Sequence, residues 1–243
     1  MPSIFIENFP DLENYSKTLN LPKKPKIIFT SNGAWFNTIS MYQIAKLKEN
    51  GSKLLYGQHG GTYATSKILW NEKHELKITD KFLSWGWKNN NDKIIRFGLL
   101  NHLNIKRNKS KNKKFLIMLG KRLHKGSLPD SSSVLQSHSA YCNWVYIYLA
   151  NLNFRVKKNA ILRLPKNSES PEIEDYTGKV TKKYIFDNNS SIRKAYKNSS
   201  LVLHTINSTS ICETLSENIP SIILFRKKID IIRPEAKHIF KIL

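Results

Sequence analysis

Residues 201–225 leave few folds open to this chain. An apolar run, Leu201 to Thr205, passes through the hydroxyl-rich turn Asn207-Ser208-Thr209-Ser210 into a helical segment that Pro220 ends, and a second apolar run, Ile222 to Phe225, follows. Short apolar runs on both sides of one helix read as buried parallel strands joined by a crossover. The pattern recurs. Lys26 to Thr30, a helix from about Phe36 to Glu49 stopped by Gly51, and Lys53 to Gln58 form one copy near the start; Phe115 to Leu119, a helix from about Ser133 to Asn151, and Ala160 to Leu164 restart it later. The expectation is an α/β protein with two Rossmann-like halves.

The stretches in between set the boundaries. Residues 1–25 carry Pro2, Pro10, Pro22 and Pro25 without sustained periodicity and predict an irregular lead-in. Ile68 to Leu76 has mixed character, while Phe82 to Trp87 and Ile94 to Phe97 read as strands. Asn101 to Lys114 is polar and basic without an apolar face, as a linker would be. The domains are therefore drawn at 1–108, an incomplete first half, and 113–243, a second half that stops within its final helical segment. Tyr184 to Phe186 and a helix over Ser190 to Lys197 complete the second half, and the aromatic side of the longer helix, Tyr141, Trp144 and Tyr148, is assigned to its core.

Composition enters through charge. Lys and Arg number 40 against 18 Asp and Glu, a formal net charge of +22, which favours phosphorylated ligands and an anionic membrane surface. The excess is mostly lysine spread along the chain and accompanied by Asn and Ile, as an AT-rich coding sequence would produce. The basic run has no interleaved aromatics and only Arg107 as a guanidinium, so nucleic acid is not the expected partner. No apolar run approaches the roughly 18 residues of a membrane span, and the start lacks a basic leader. The expected location is the cytoplasm, with peripheral contact at the inner face of the membrane. Cys142 and Cys212 stand far apart with no close-spaced Cys/His set, so neither a disulfide nor a metal is expected.

Candidate site residues follow from position. Exposed N–H groups at a helix start attract anions, Ser208, Thr209 and Ser210 add hydroxyl donors, and Glu213, expected in the first turn, is placed to accept from a ribose diol. The competing reading is a capped helix, with Ser208 or Thr209 and Glu213 forming a capping box. The strand over Lys53 to Gln58 runs into Gly57-Gln58-His59-Gly60-Gly61-Thr62-Tyr63, and the carboxyl end of a parallel strand is where ligands gather. His59 is the leading acid/base candidate, since an unperturbed imidazole titrates near neutrality; the alternative is a turn with a locally bonded histidine. Arg122, in a basic glycine-punctuated loop after Gly120, and Arg163, before Leu164-Pro165, are candidates for phosphate contact. Trp85 and Trp87 flank Gly86, where core packing competes with sugar stacking. His204 ends a strand, where a structural role competes with ligand contact.

Three stretches together resemble a family of transferases from bacterial surface-carbohydrate gene clusters: Ile28 to Asn32; Gly51 to Tyr63 continuing through Ile78 to Trp87; and Ser200 to Pro220. The middle stretch keeps the order and spacing of Gln58-His59-Gly60-Gly61, Tyr63, Asp80 and Trp85-Gly86-Trp87. That family looks like distant kin of GT-B glycosyltransferases and polyol-phosphate transferases. The resemblance implies two Rossmann-like domains facing a cleft, with His59 as the acceptor-activating base and Gly60, Gly61 and Tyr63 on the acceptor side. Ser208, Thr209, Ser210, Glu213 and Arg163 would then bind the donor, and Arg122, from the loop reading above, would join them. Ala64 stands where the family pattern has glycine, and family members are longer, with a large N-terminal portion that has no counterpart here.

The expected function is transfer of a glycosyl or polyol-phosphate group from a nucleotide-activated donor, acting as substrate and with no cofactor, to a polysaccharide or lipid-linked acceptor at the cell surface. A partner polypeptide would supply the missing N-terminal part. The alternatives are a non-catalytic basic binding or assembly module, an inactive fragment of such an enzyme, and a sugar-nucleotide epimerase.

Overall fold

The computed structural model describes residues 3–35, 37–67, 69–100, 103–105, 114–120, 135–164, 183–187, 189–224 and 232–238, with the helix backbone alone at 135–139. The chain divides into two units, one made of Met1–His59 and Trp70–Leu100, the other of Gly60–Leu69 and Asn101–Leu243. The division is discontiguous: residues 60–69 group with the second unit.

In the first unit, strands β1 (Ile27–Thr30), β2 (Lys53–Gly57), β3 (Lys81–Ser84) and β4 (Ile94–Arg96) form a parallel sheet in the order β1-β2-β3-β4. Alternation along the strands sends Leu54, Tyr56, Phe82 and Ile94 into the core. Three helices accompany them: α1 (Phe9–Thr18), α2 (Thr38–Glu49) and α3 (Trp70–Ile78). The lead-in is thus not irregular. Pro10 falls in the first turn of α1, where its missing N–H removes nothing the helix would use, and Asp11 and Lys17 complement the two ends of the dipole. The mixed stretch from residue 70 is helix α3, whose buried positions are the acids Glu72 and Glu75 rather than an apolar stripe.

The two tryptophans do not extend β3. Trp85 N–H and Trp87 Nε1–H both donate to Oε1 of the buried Gln58, at 2.9 and 2.7 Å, around Gly86 at a φ of 101°. Trp87 also packs its ring against Phe82. Asp80 ties β3 to its neighbours, Oδ2 accepting from Lys48 Nζ at 2.7 Å and from the Leu54 amide at 2.8 Å. The Lys48 hydrogen bond, with the Leu54 amide, holds its carboxyl down at about 2.

In the second unit, β5 (Lys114–Met118), β6 (Ala160–Arg163), β7 (Ile185–Phe186), β8 (Ser199–His204) and β9 (Ser221–Ile223) make a parallel sheet in the order β7-β6-β5-β8-β9. Counted along the chain this is 3-2-1-4-5, the Rossmann order. Helices α4 (Leu135–Asn151), α5 (Phe154–Asn159), α6 (Ile192–Lys197) and α7 (Thr209–Ser216) connect the strands. Among the described residues, two apolar clusters form. Ile117, Leu162 and Leu203 pack with Cys142, Val145 and Leu149 of α4, and Leu116 and Val202 pack with Ala195, Tyr196 and Ile219. Tyr141 lies in the first cluster and Trp144 and Tyr148 pack against it, as the sequence predicts.

Part of the expected linker is docked. The N–H groups of Leu103, Asn104 and Ile105 all donate to the Glu217 carboxylate, at 3.0, 2.8 and 2.7 Å, and Leu103 is buried in the second cluster. Residues 106–113 lie outside the described residues. Among the described residues, no helix is long and apolar enough to cross a membrane.

Candidate functional site

A 3-2-1-4-5 sheet has its topological switch point between the first and fourth strands, and the crevice beyond their carboxyl ends is where such folds bind ligands. Here that crevice lies after β5 and β8, at Leu119-Gly120 and at Thr205 to Ser208. A directional chain of hydrogen bonds closes its floor. Gly120 N–H donates to Tyr141 Oη at 2.6 Å, Tyr141 donates to Thr205 Oγ1 at 2.7 Å, and Thr205 donates to the Met118 carbonyl at 2.8 Å. Burial pushes the Tyr141 hydroxyl up to about 12, so it acts as a neutral bridge. A Cβ on Gly120 would lie 2.9 Å from Ile206 Cγ2 and 3.2 Å from the Tyr141 ring, so a larger residue there would displace these side chains.

The hydroxyl turn leads into α7, with Ser208 as its N-cap residue. The capping box does not form. Ser208 makes no side-chain cap bond, N3 is Ile211, and Glu213 falls in the second turn, not the first. Instead the turn is wired to the buried His204. Thr214 Oγ1 donates to the Ile211 carbonyl, so His204 Nε2 donates to Thr214 at 3.0 Å; Nδ1 then accepts from Ser210 Oγ at 2.9 Å, and Ser210 accepts from Ser208 Oγ at 2.7 Å. Burial pulls the His204 imidazole down to about 4, in keeping with a neutral ring whose two nitrogens have opposite roles. Ser208 and Ser210 therefore spend their hydroxyl protons internally, and Thr209 does not. Thr209 Oγ1 accepts from Gly61 N–H at 3.2 Å, while the hydroxyl proton of Thr209 and the N–H groups of Thr209 and Ser210 have no partner among the described residues.

Residues 60–69 form a strap over this turn. A Cβ on Gly61 would come within 2.7 Å of both Ser208 O and Thr209 Cα. The strap is anchored at its far end. Arg233 N–H donates to Thr65 O at 2.7 Å, Arg233 Nε to Ser66 O at 2.6 Å, and Asn207 Nδ2 to Thr65 Oγ1 at 3.0 Å, beside an antiparallel bridge between Ser66 and Ile232. Tyr63 is buried, and Ala64 takes a left-handed φ of 58°. The structure thus brings Gly60 and Gly61, expected on the acceptor side, against Ser208 and Thr209, expected on the donor side. The sequence contains no local signal for this pairing, because the partners are far apart in the chain. Cys212 Sγ contacts Gly61 O at 3.8 Å, and burial pushes its thiol up to about 11.

Glu213 Oε2 accepts from Tyr196 Oη at 2.9 Å, and burial raises its carboxyl against the lowering effect of that bond. Burial, then the Glu213 charge, holds the Tyr196 hydroxyl well above its ordinary value. Arg163 is 4% exposed and directs its guanidinium within the unit, with Nη1 donating to Asp187 O and Ser190 Oγ at 3.0 and 3.2 Å and Nη2 to Ser190 O at 2.8 Å. In this arrangement it holds the loop before α6 to the sheet; it does not present a free fork to a phosphate. Arg122 lies outside the described residues.

His59 stands in the first unit, just past the end of β2. Its Nδ1 is 3.6 Å from Glu75 Oε1, the imidazole side chain about a third exposed and the carboxylate fully buried. Trp35 Nε1 donates to the same Glu75 oxygen at 2.6 Å, and its ring meets the imidazole edge-on, centroids 6.2 Å apart. Burial lowers the His59 pKa, and a hydrogen bond to the Ser31 carbonyl acts the other way. Glu75 and Trp35 were not singled out from the sequence; the one available signal, an acid on the inner side of a short helix, gives no apolar periodicity to notice. Among the described residues no group of three or more His, Cys, Asp or Glu side chains could hold a metal ion.

A family profile described as LIC12162 family transferase matches residues 1–243. No curated protein matches the sequence. Among solved structures, a protein assigned as UDP-N-acetylglucosamine 2-epimerase from Listeria monocytogenes is similar with a TM-score of 0.43 and 8% identity, covering 80% of this chain and 54% of its own. MurG from Acinetobacter baumannii is similar with a TM-score of 0.46 and 10% identity, covering 89% of this chain and 56% of its own. The chain spans about half the length of these two structures.

Proposed function

The chain belongs to the LIC12162 family of transferases, and we propose that it moves a glycosyl, or polyol-phosphate, group from a nucleotide-activated donor to a surface-polysaccharide or lipid-linked acceptor. The observation that carries the donor half is the start of α7. At the switch point of a Rossmann-ordered sheet, the N–H groups of Thr209 and Ser210 and the Thr209 hydroxyl proton are unspent among the described residues. Such a helix start suits a diphosphate, and the dipole adds to it. Glu213, one turn further on, would take a ribose hydroxyl. His59 would accept the proton of the attacking acceptor hydroxyl, and the α7 turn would stabilise the departing diphosphate. The net charge of +22 suits work at the anionic inner face of a membrane.

Calorimetry with UDP, CDP and GDP, and with sugar conjugates of whichever binds, tests the donor half. Absence of binding to every nucleoside diphosphate would remove it. Glu213→Ala should weaken the nucleotide, and His59→Ala should abolish transfer while leaving nucleotide affinity in place; undiminished turnover would take His59 out of the mechanism.

A further inference from the structure

The proposed reaction leaves unused a fully buried carboxylate beside its base. Taking a carboxylate out of water is costly unless hydrogen bonds and an opposite charge compensate. Around Glu75 stand Trp35, whose Nε1 is 2.6 Å from Oε1, the buried Tyr56, and His59, whose Nδ1 is 3.6 Å from the same oxygen. Of these three only His59 can become a cation. They come from three places in the first unit: Trp35 from the connection between β1 and α2, Tyr56 from β2, and His59 from the end of β2. Glu75 faces them from α3, and Ser31, also from the connection after β1, offers its carbonyl to the imidazole.

We propose that Glu75 is the positioning residue of His59: its carboxylate orients the imidazole from the Nδ1 side and balances the charge that the ring gains when it takes a proton, while Trp35 fixes the carboxylate oxygen in place. The inference rests on the reading of His59 as the base, and it supplies the partly buried ring with a counter-charge for the proton it takes. The charge created at His59 appears beside a carboxylate that is itself fully out of water, which attracts it. Trp35 sets the direction. Its N–H holds Oε1 at hydrogen-bonding distance, leaving that oxygen just beyond hydrogen-bonding distance from Nδ1.

The test is an NMR titration of the His59 ring nitrogens in the full chain, compared among the wild type, Glu75→Gln and Trp35→Phe. Glu75→Gln keeps the shape and removes the charge, so the proton affinity of His59 should fall about tenfold, one pH unit. Trp35→Phe releases Oε1 toward the ring and should raise that affinity. Folding is checked on the backbone amide spectrum, and if Glu75→Gln does not fold, the direction of the Trp35→Phe shift decides. An unchanged His59 midpoint in the variants that fold would overturn the proposal. Turnover separates this from the parent reading: a coupled titration together with an active His59→Ala enzyme would keep the pair but discard His59 as the base. Within a correct reading, Glu75→Gln should lower kcat and shift its pH profile while leaving the donor KM in place.

Discussion

Gly61 donates its N–H to Thr209 Oγ1 at 3.2 Å across 148 residues of sequence, and a methyl group on Gly61 would stand 2.7 Å from Thr209 Cα. The contact is backbone on backbone, so no side chain can rotate away to make room. Gly60, its neighbour, has no such restriction, since a Cβ there would meet Tyr63 and Thr209 Oγ1 only at 3.8 and 3.9 Å, ordinary van der Waals distances.

Gly61→Ala should therefore destabilise the protein by about 1–3 kcal/mol, the usual cost of forcing atoms into a filled space, while Gly60→Ala should change stability by less than about 0.5 kcal/mol. Urea unfolding of the two variants checks the contrast. Equal midpoints would show that the strap does not lie on the turn as described.

This pair also marks how far the sequence could be read. The strand-helix-strand units around β1 to β2 and β8 to β9 were legible because buried parallel strands are short apolar runs, and a helix between them is announced by its stops, Gly51 in one case and Pro220 in the other. The assignment of Gly60 and Gly61 to a different unit from His59 was not legible. It depends on Asn207 and Arg233 holding Thr65 and Ser66, partners that no local pattern links. Helix α1 was hidden by Pro10, which reads as a breaker unless it falls in a first turn, and α3 by Glu72 and Glu75, whose inward acids erase the apolar stripe. The capping box looked plausible at Ser208 because a hydroxyl and a glutamate follow one another closely, but the helix begins at Thr209 and leaves Glu213 past N3.

Ala64 tests a different kind of strain. Its φ of 58° lies in the left-handed region, which costs an L-residue roughly 1–2 kcal/mol, whereas glycine pays about 0.5–1 kcal/mol in chain entropy instead. Ala64→Gly should leave the strap in place and stabilise the protein by about 0.5–1 kcal/mol. A melting temperature below that of the wild type would count against the left-handed turn.

The neutral His204 predicts a pH dependence. Its pKa falls from 6.5 to about 4 on burial, so between those values the unfolded chain binds a proton that the folded chain refuses. The contribution is complete above pH 6.5 and is lost as pH falls toward 4, amounting to about 3 kcal/mol. His204→Gln can still accept from Ser210 and donate to Thr214 but cannot titrate. Denaturant unfolding at a series of pH values should show a flatter acid limb for this variant than for the wild type; parallel limbs would mean that His204 is not held neutral.

The wiring of the turn ranks its hydroxyls. Ser208 and Ser210 pass their protons along the chain to His204, whereas the Thr209 hydroxyl proton is unspent among the described residues and its oxygen already accepts from Gly61 N–H, which makes the remaining proton a better donor. If the α7 turn holds a diphosphate, Thr209→Val should weaken nucleoside diphosphate binding by about 10- to 100-fold, the range for losing a hydrogen bond to a charged group. Ser208→Ala removes a hydroxyl whose proton is turned inward and should cost far less. Calorimetric titration of both variants with the same nucleotide measures the difference, and equal losses would place the anion away from Thr209. Stability of both should be followed in parallel, because Thr209→Val also removes the acceptor of the Gly61 amide and so loosens the strap that the same hydroxyl holds in place.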